Sequence, residues 1–490
     1  MTLKAGISGL RGTSPDLSPE CVVAYARAWA GLLLEQQARP AVALGRDGRR
    51  SSAMVADLVR GALLGSGCQV WDLELTLTPT VQYTLSHRSD LCGGVMVTAS
   101  HNPPPWNGLK FLNAQGFFQD QAAWDRLTAG LGYPASSIGL DQVAPVTPWS
   151  NEALEAHRQG ILQVLPQAAI RSARLRVALD ACNSGAIHWQ PLLESLGCEV
   201  IATNTEVHGY FGRPPEPLPA HLEGLAYLVR QSGCDLGLAA DPDGDRLALV
   251  DEQGQPVSEE HTVVLCAQSW LRQTAGPVVV NVVTTHALDE AIDGTPVYRT
   301  AVGEMNVVQG LQTHQGVFGG EGSGGIILPA VHLARDGMVA AGLVLNLLAA
   351  TGQPLSALVA ALPPWVSVKA KLTPTDVVAD DLRTLFQTWR TQPPQLTVSA
   401  QALILASQDG LLALELDNDQ VLLRGKLPSG QPFSATTAAG RLPPVLDILA
   451  QSAPTLDLTD GLKAAGRGAW LSVRPSNTEP ILRLMGEYRT

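Results

Sequence analysis

The chain has 490 residues, with 45 acidic against 33 basic side chains and a formal net charge of −12. That length accommodates several domains, each able to bury its own core. The acidic balance argues against a nucleic-acid binder, which carries a broad basic surface. Seven cysteines, odd in number, scattered and without a Cys-x-x-Cys pair, suit reduced thiols in a cytosolic protein rather than a disulfide or zinc framework.

Along the chain, short apolar runs alternate with helical patterns. Only a short apolar stretch precedes Arg11, so a signal peptide is not expected. Residues 18–36 predict an amphipathic helix whose apolar face belongs to the core. Apolar runs at 41–44 before Gly45, at 175–179 before Asp180 and at 278–283 before Thr284 read as strands opening three similar units. Strands alternating with helices imply βαβ units and mixed or parallel sheets. A buried strand at 93–97 leads into Thr98, Ala99, Ser100, His101, Asn102 and Pro103, and the prolines at 103–105 prevent continuation as a helix. A serine at a strand end beside a histidine is presented for chemistry. A hydrolase would need a base, an orienting carboxylate and an oxyanion hole, and the nucleophile-elbow pattern Gly-x-Ser-x-Gly is absent. Taken alone, the turn reads as structural.

An amphipathic helix is expected over 220–231. After it come two strand-like runs, Leu236–Ala240 and 247–250, joined by Asp241, Pro242, Asp243, Gly244, Asp245 and Arg246. Three carboxylates at alternate positions in one tight turn repel each other unless a hard divalent cation gathers their oxygens. An EF-hand loop beginning at Asp241 needs glycine where Arg246 stands, and an exiting helix where strand residues follow. A haloacid-dehalogenase-type phosphatase also begins with two alternate aspartates but expects Thr or Val at the position of Asp245. An Asp-rich hairpin turn is the bland alternative, and the metal loop is the sharper one.

The glycines of 320–325 match Gly-x-Gly-x-x-Gly formally, but 326–328 is strand-like where a dinucleotide fold needs a helix. Residues 338–350 form the longest apolar segment, too short to span a bilayer and containing Asn346, so a buried helix and no membrane span are expected. From about Val366 the character changes: strand-like runs at 403–406, 410–415 and 420–425 precede a helical stretch and the turn Arg474, Pro475, Ser476, Asn477, Thr478, Glu479, Pro480. Proline-containing turns at 145–148 and at Pro363 and Pro364 suggest boundaries. The organisation expected is 1–147, 148–251 and 252–363 as three similar α/β domains with mixed sheets, and 364–490 as a C-terminal α+β domain.

The serine turn with Asn107, Gly108, Leu109 and Lys110, the aspartate turn, the glycine-rich turn and the Arg474 turn occur in one chain in this order. Together they closely resemble the α-D-phosphohexomutase family, which includes phosphoglucomutase, phosphomannomutase and phosphoglucosamine mutase. The resemblance runs from residues 6–12 to Pro480. It implies three α/β domains and a C-terminal domain around a central cleft. It also implies an isomerase that exchanges hexose 6-phosphate and 1-phosphate through a phosphoserine at Ser100 and a sugar bisphosphate. By the same resemblance, Asp241, Asp243, Asp245 and the Ser100 phosphate hold Mg2+. Lys110 and Arg11 handle the proton and His101 orients the serine phosphate; the choice among these three stays open. Arg246, Glu321 and Ser323 read the substrate, and Arg474, Ser476, Asn477 and Thr478 hold the phosphate that does not react.

The chain departs from a common family form at Gly325, where many relatives place His, and at Met305, where many carry a basic residue after Val302, Gly303 and Glu304. These departures bear on the sugar, for which glucosamine phosphate leads over glucose and mannose phosphates. A two-aspartate phosphatase, separable by steady phosphate release, and a non-catalytic sugar-phosphate sensor are the other readings. Partners expected are small sugar phosphates, neither nucleic acid nor membrane, with a cytoplasmic monomer or homodimer whose C-terminal domain acts as a mobile clamp.

Overall fold

The computed structural model describes the chain except residues 1–2, 133–134, 136, 374–378, 428, 430–431 and 477–480, together with the side chains of 379–380. Its residues group into two compact units, Met1–Val279 with Val308–Ala361, and Val280–Val307 with Leu362–Thr490.

The first unit opens on a seven-stranded mixed sheet. Its order is Lys4–Gly6, Gly9–Thr13, Trp106–Asn113, Leu91–Val97, Ala41–Arg46, Gln69–Leu75, Val146–Pro148. The centre is parallel, as the near-continuous apolar runs require, with Ala41–Arg46 flanked in parallel by Leu91–Val97 and Gln69–Leu75. Leu91–Val97 then pairs antiparallel with Trp106–Asn113, so the connection 98–105, carrying Ser100, is thrown out at the strand end. Helix Pro19–Leu34 starts where the Ser18 side chain accepts from the Cys21 N–H and Pro19 occupies the first turn. Its buried face, including Val22, Tyr25, Trp29 and Leu33, packs into the same cluster as Val95 and Phe111. The helix is one residue shorter at its N-terminus and two at its C-terminus than the 18–36 expected, with Ser18 and Glu35 as its cap residues.

A second, four-stranded sheet runs Leu247–Asp251, Leu236–Ala240, Arg176–Asp180, Glu199–Thr203. Its antiparallel pair ends with Ala240 opposite Leu247, which fixes the aspartate turn at the sheet edge. The helix expected over 220–231 splits: a short 3-10 turn, Pro219–His221, precedes helix Glu223–Ser232, because Pro219 and the non-helical Leu222 interrupt it. The hairpin Phe318–Glu321 and Gly325–Ile327 pairs Glu321 with Gly325. The apolar segment near 338–350 is a buried helix, Gly337–Thr351, and Asn346 is satisfied there by donating to Ser269 Oγ at 3.0 Å.

The second unit has α+β character. One five-stranded sheet runs Trp365–Leu372, Leu482–Arg489, Ala469–Pro475, Leu462–Gly466, Thr455–Asp457, and a five-stranded antiparallel meander runs from Gln395–Ser399 to Pro432–Ala438. Trp389, Leu414, Leu446 and Leu471 belong to its common core. Within this unit Val282 and Val283 pack against Trp470, and Lys463 Nζ donates to the Val282 carbonyl at 2.6 Å. All seven cysteines are free and stand in the first unit. Among the described residues no helix is long and apolar enough to cross a membrane.

Candidate active site

Ser100 is the third residue after strand Leu91–Val97, and it is held in the left-handed region at φ 48°. A non-glycine residue in that region costs free energy unless its surroundings over-determine it. They do. Arg49, itself buried beside Asp47 at 3.0 Å, donates to the carbonyls of Ser100, Asn102 (2.7 Å), Pro103 (2.9 Å) and Trp106 (3.1 Å). Thr98 Oγ1 donates to Asp47 at 2.7 Å and accepts from the Ser100 N–H at 2.8 Å. One guanidinium thus gathers the loop carbonyls, and the Ser100 hydroxyl turns the other way. It donates to Asp241 Oδ2 at 2.9 Å and lies 3.2 Å from His101 Nδ1.

Asp241, Asp243 and Asp245 are fully buried, and each offers an oxygen within 4.8 Å of the others. Gly244, at φ +70°, supplies the left-handed turn that lets alternate carboxylates converge. Burial, then the neighbouring Asp245 and Asp243 carboxylates, push Asp241 well above the usual carboxylate range. Burial raises Asp243 as well, but the Lys110 ammonium overrides it and holds Asp243 below its ordinary value. Asp245 follows the same pattern, with burial opposed by the Arg335 guanidinium. Asp243 Oδ1 and Asp245 Oδ1 are buried without a hydrogen-bond partner among the described residues. Orphaned, convergent, hard oxygen donors of this kind fit a divalent cation, and the three aspartates could hold one.

Lys110 is 1 % exposed, not a solvated surface lysine. Its Nζ lies 2.6 Å from Asp243 Oδ2, 3.6 Å from Asp245 Oδ2 and 3.2 Å from Thr78 Oγ1. Thr78 also donates to Asp243 Oδ2 at 2.6 Å. Arg11 donates to Asn102 Oδ1 at 3.2 Å; burial lowers its pKa although Asp243 and Asp245 oppose the change, and an arginine lowered from so high a value stays charged. His101 is held well below its ordinary pKa by burial and then by Arg246 and Arg11, so the imidazole is neutral. Glu216 faces both, 3.9 Å from His101 Nε2 and 3.8 Å from Arg246 Nη1.

The glycine-rich hairpin joins the same site. The Leu247 N–H donates to the Gly324 carbonyl at 3.0 Å, tying the hairpin to the strand after the aspartate turn. Glu321 is buried and accepts from Arg335 at 2.9 Å, while Ser323 is half-buried in the turn. Ser100, His101, Lys110, Arg11, the three aspartates, Arg246, Glu321 and Ser323 all stand in the first unit. In the second unit Arg474 closes strand Ala469–Pro475 with Nη1 3.6 Å from Asp460, and Ser476 Oγ accepts from Arg483 at 3.3 Å. Asn477 and Thr478 lie outside the described residues. Met305 stands in the first turn of helix Glu304–His314.

Sequence reasoning missed Arg49, Asp47, Thr78, Glu216 and Arg335. Asp47 and Arg49 do follow a predicted strand end at Gly45, a signal of position without chemistry. The other three belong to no motif and reach the site only through tertiary contact.

Buried carboxylates around a serine hydroxyl, with cations packed between them, are the chemistry that phosphoryl transfer requires, here on an α/β scaffold. Comparison with known proteins agrees. The models described as phosphoglucomutase/phosphomannomutase alpha/beta/alpha domains I, II and III match residues 2–130, 155–254 and 258–365, and the C-terminal domain of the same family matches 445–490. A probable phosphoglucosamine mutase of Methanopyrus kandleri is 30% identical, covering 98% of this chain and 93% of the relative. A phosphoglucomutase/phosphomannomutase of Thermococcus kodakarensis is 28% identical, covering 99% and 94%. The crystal structure of a putative phosphomannomutase from Thermus thermophilus shares the fold at a TM-score of 0.74 and 22% identity, covering 100% of this chain and 96% of that one. The chain belongs to the phosphoglucomutase/phosphomannomutase family, a family of phosphohexomutases.

Proposed function

We propose that this phosphohexomutase moves a phosphoryl group between the 6- and 1-hydroxyls of a hexose by way of Ser100, with glucosamine phosphate as its leading substrate. The observation that carries the reading is the Ser100 hydroxyl, locked in a strained loop and aimed at the aspartate triad at 2.9 Å from Asp241. In the forward half-reaction a sugar hydroxyl oxygen bonds to phosphorus as the bond from phosphorus to Ser100 Oγ breaks. The sugar hydroxyl gives up its proton, and Ser100 Oγ regains one. His101, neutral and with Nδ1 3.2 Å from Oγ, is placed to orient that hydroxyl by a hydrogen bond between half-reactions. Lys110 and Arg11 present positive charge beside the triad and offset the charge that spreads over the transferring group. Magnesium, held by Asp241, Asp243, Asp245 and the serine phosphate, would supply further charge neutralisation. The bisphosphate formed in this way turns over and returns its other phosphate to Ser100.

Glu321 and Ser323, an acceptor and a donor in one turn, suit adjacent sugar hydroxyls. Arg474 and Ser476, with Asn477 and Thr478, suit the phosphate that does not react. The preference for glucosamine phosphate is supported by relatives 30–32% identical whose names read probable phosphoglucosamine mutase. Seven free thiols support a reducing, cytoplasmic setting.

Intact-mass analysis with peptide mapping tests the serine. Phosphate on Ser100, and loss of turnover in Ser100→Ala, are expected; phosphate mapped only elsewhere, or full activity of the variant, would end the reading. Mutase assays on glucosamine, glucose, N-acetylglucosamine and mannose phosphates test the sugar.

A further inference from the structure

One side chain outside every sequence motif joins the glycine-rich hairpin to the aspartate turn. Arg335 donates from Nη1 to Glu321 Oε2 at 2.9 Å and from Nη2 to Asp245 Oδ2 at 2.7 Å. Both carboxylates are buried, and so is most of the guanidinium, at 13 % side-chain exposure. Two separate nitrogens of one rigid fork therefore fix the separation between a metal-turn carboxylate and the carboxylate of the hairpin.

The space for that fork comes from Gly325, the partner of Glu321 across the hairpin. A Cβ added at position 325 would meet Arg335 first: its three nearest atoms are Cδ, Cγ at 3.2 Å and Nε at 3.4 Å of that side chain. The Gly325 backbone is not in the left-handed region, so glycine is required there for room rather than for conformation. Position 325 is thus an opening, and Arg335 fills it.

The backbone under Arg335 is pinned as firmly. Asp336 Oδ1 accepts from the N–H groups of Met338 (2.8 Å) and Val339 (3.2 Å), capping helix Gly337–Thr351. Its Oδ2 lies 2.6 Å from His157 Nε2 and 3.0 Å from His332 Nε2, all buried. The His157, His332 and Asp336 cluster is a hydrogen-bonded anchor at these separations. The Asp336 N–H donates to Ile326 and the Gly337 N–H to Gly244, so the anchor touches both the hairpin and the metal turn.

We propose that Arg335 is a specificity-determining positioning residue: its two-headed bridge holds Glu321 in register with the aspartate turn, and Gly325 is the vacancy that admits it. The proposal rests on the functional reading above, in which Glu321 reads sugar hydroxyls. A lysine at 335 keeps the charge but offers a single point and cannot span both carboxylates. A methyl group at 325 leaves Arg335 intact but displaces its stem.

The test is steady-state kinetics of the full chain on glucosamine and glucose phosphates, comparing wild type, Arg335→Lys, Arg335→Ala, Gly325→Ala and the Gly325→Ala/Arg335→Ala double variant. Arg335→Lys and Gly325→Ala should each lower kcat/KM by about tenfold or more and change the ratio between the two sugars. In the Arg335→Ala background, Gly325→Ala should cost less than about threefold further, because its effect runs through the missing side chain. Additive losses, or an unchanged ratio between the sugars in both single variants, would overturn the proposal. Should Arg335→Ala fail to fold, Arg335→Lys and Gly325→Ala decide it, with thermal transitions recorded for each. Inactivity of the wild type on every hexose phosphate, or absence of phosphate on Ser100, would instead sink the functional reading, so the two failures are distinguishable.

Discussion

Lys110→Met removes a buried charge while keeping most of the buried stem. The lysine is 1 % exposed and its ammonium is 2.6 Å from Asp243 and 3.6 Å from Asp245, both fully buried. Deleting one member of such a group leaves its partner uncompensated, at about 3–5 kcal/mol. At roughly 2–4 °C per kcal/mol for a large domain, the first unit's thermal transition should fall by about 6–20 °C in chelator. A divalent cation restores what the ammonium supplied, and binding at 100 times the dissociation constant stabilises by about 2.7 kcal/mol. The variant triad carries one less cation, so it should bind magnesium more tightly and recover more of its stability than wild type does. Scanning calorimetry of both proteins in EDTA and in saturating magnesium makes the comparison. A deficit that is equal or larger with magnesium, or no deficit in EDTA, would refute the view that Lys110 and a metal ion share the charge of the triad.

Two further outcomes are expected. Burial, then Arg299, hold the Lys463 ammonium down to about 7. The folded second unit binds fewer protons than the unfolded chain between about pH 7 and 10, so its stability rises with pH across that window. Unfolding measured at several pH values should show this rise in wild type and not in Lys463→Met; a slope that survives in the variant would count against a buried, depressed lysine. Arg474→Ala should weaken substrate by the worth of a charge-assisted bond, about 1.5–3 kcal/mol or roughly 10- to 150-fold in KM. A variant with wild-type KM for every sugar phosphate would remove Arg474 from the substrate site.

Local chemistry made part of this molecule readable in advance. The aspartate turn was legible because Pro242 and Gly244 separate two short apolar runs that read as strands, and the structure has those strands at Leu236–Ala240 and Leu247–Asp251. Ser100 was legible as a residue at a strand end, though its left-handed conformation was not, since nothing in Ala99, Ser100 and His101 demands it. The demand comes from Arg49, some fifty residues away, which collects four carbonyls of that loop. Lys110 was named by resemblance alone; its burial, with the Phe118 ring beneath it and the carboxylates beside it, was not legible. Arg335 and Thr78 carry no pattern at all.

The placement of the cysteines gives the chain two regions that can be interrogated separately. All seven thiols belong to the first unit, and five are buried. Burial pushes Cys68, Cys182 and Cys198 up to about 12 and Cys266 higher, so at neutral pH these sulfurs are almost wholly protonated and unreactive while the unit is closed. Alkylation of those four positions therefore counts openings of the first unit and is silent to whatever the second does. The second unit has no cysteine of its own, so a single thiol introduced there, once the half-buried Cys21 and Cys92 are replaced, is a spectroscopic handle for that unit alone.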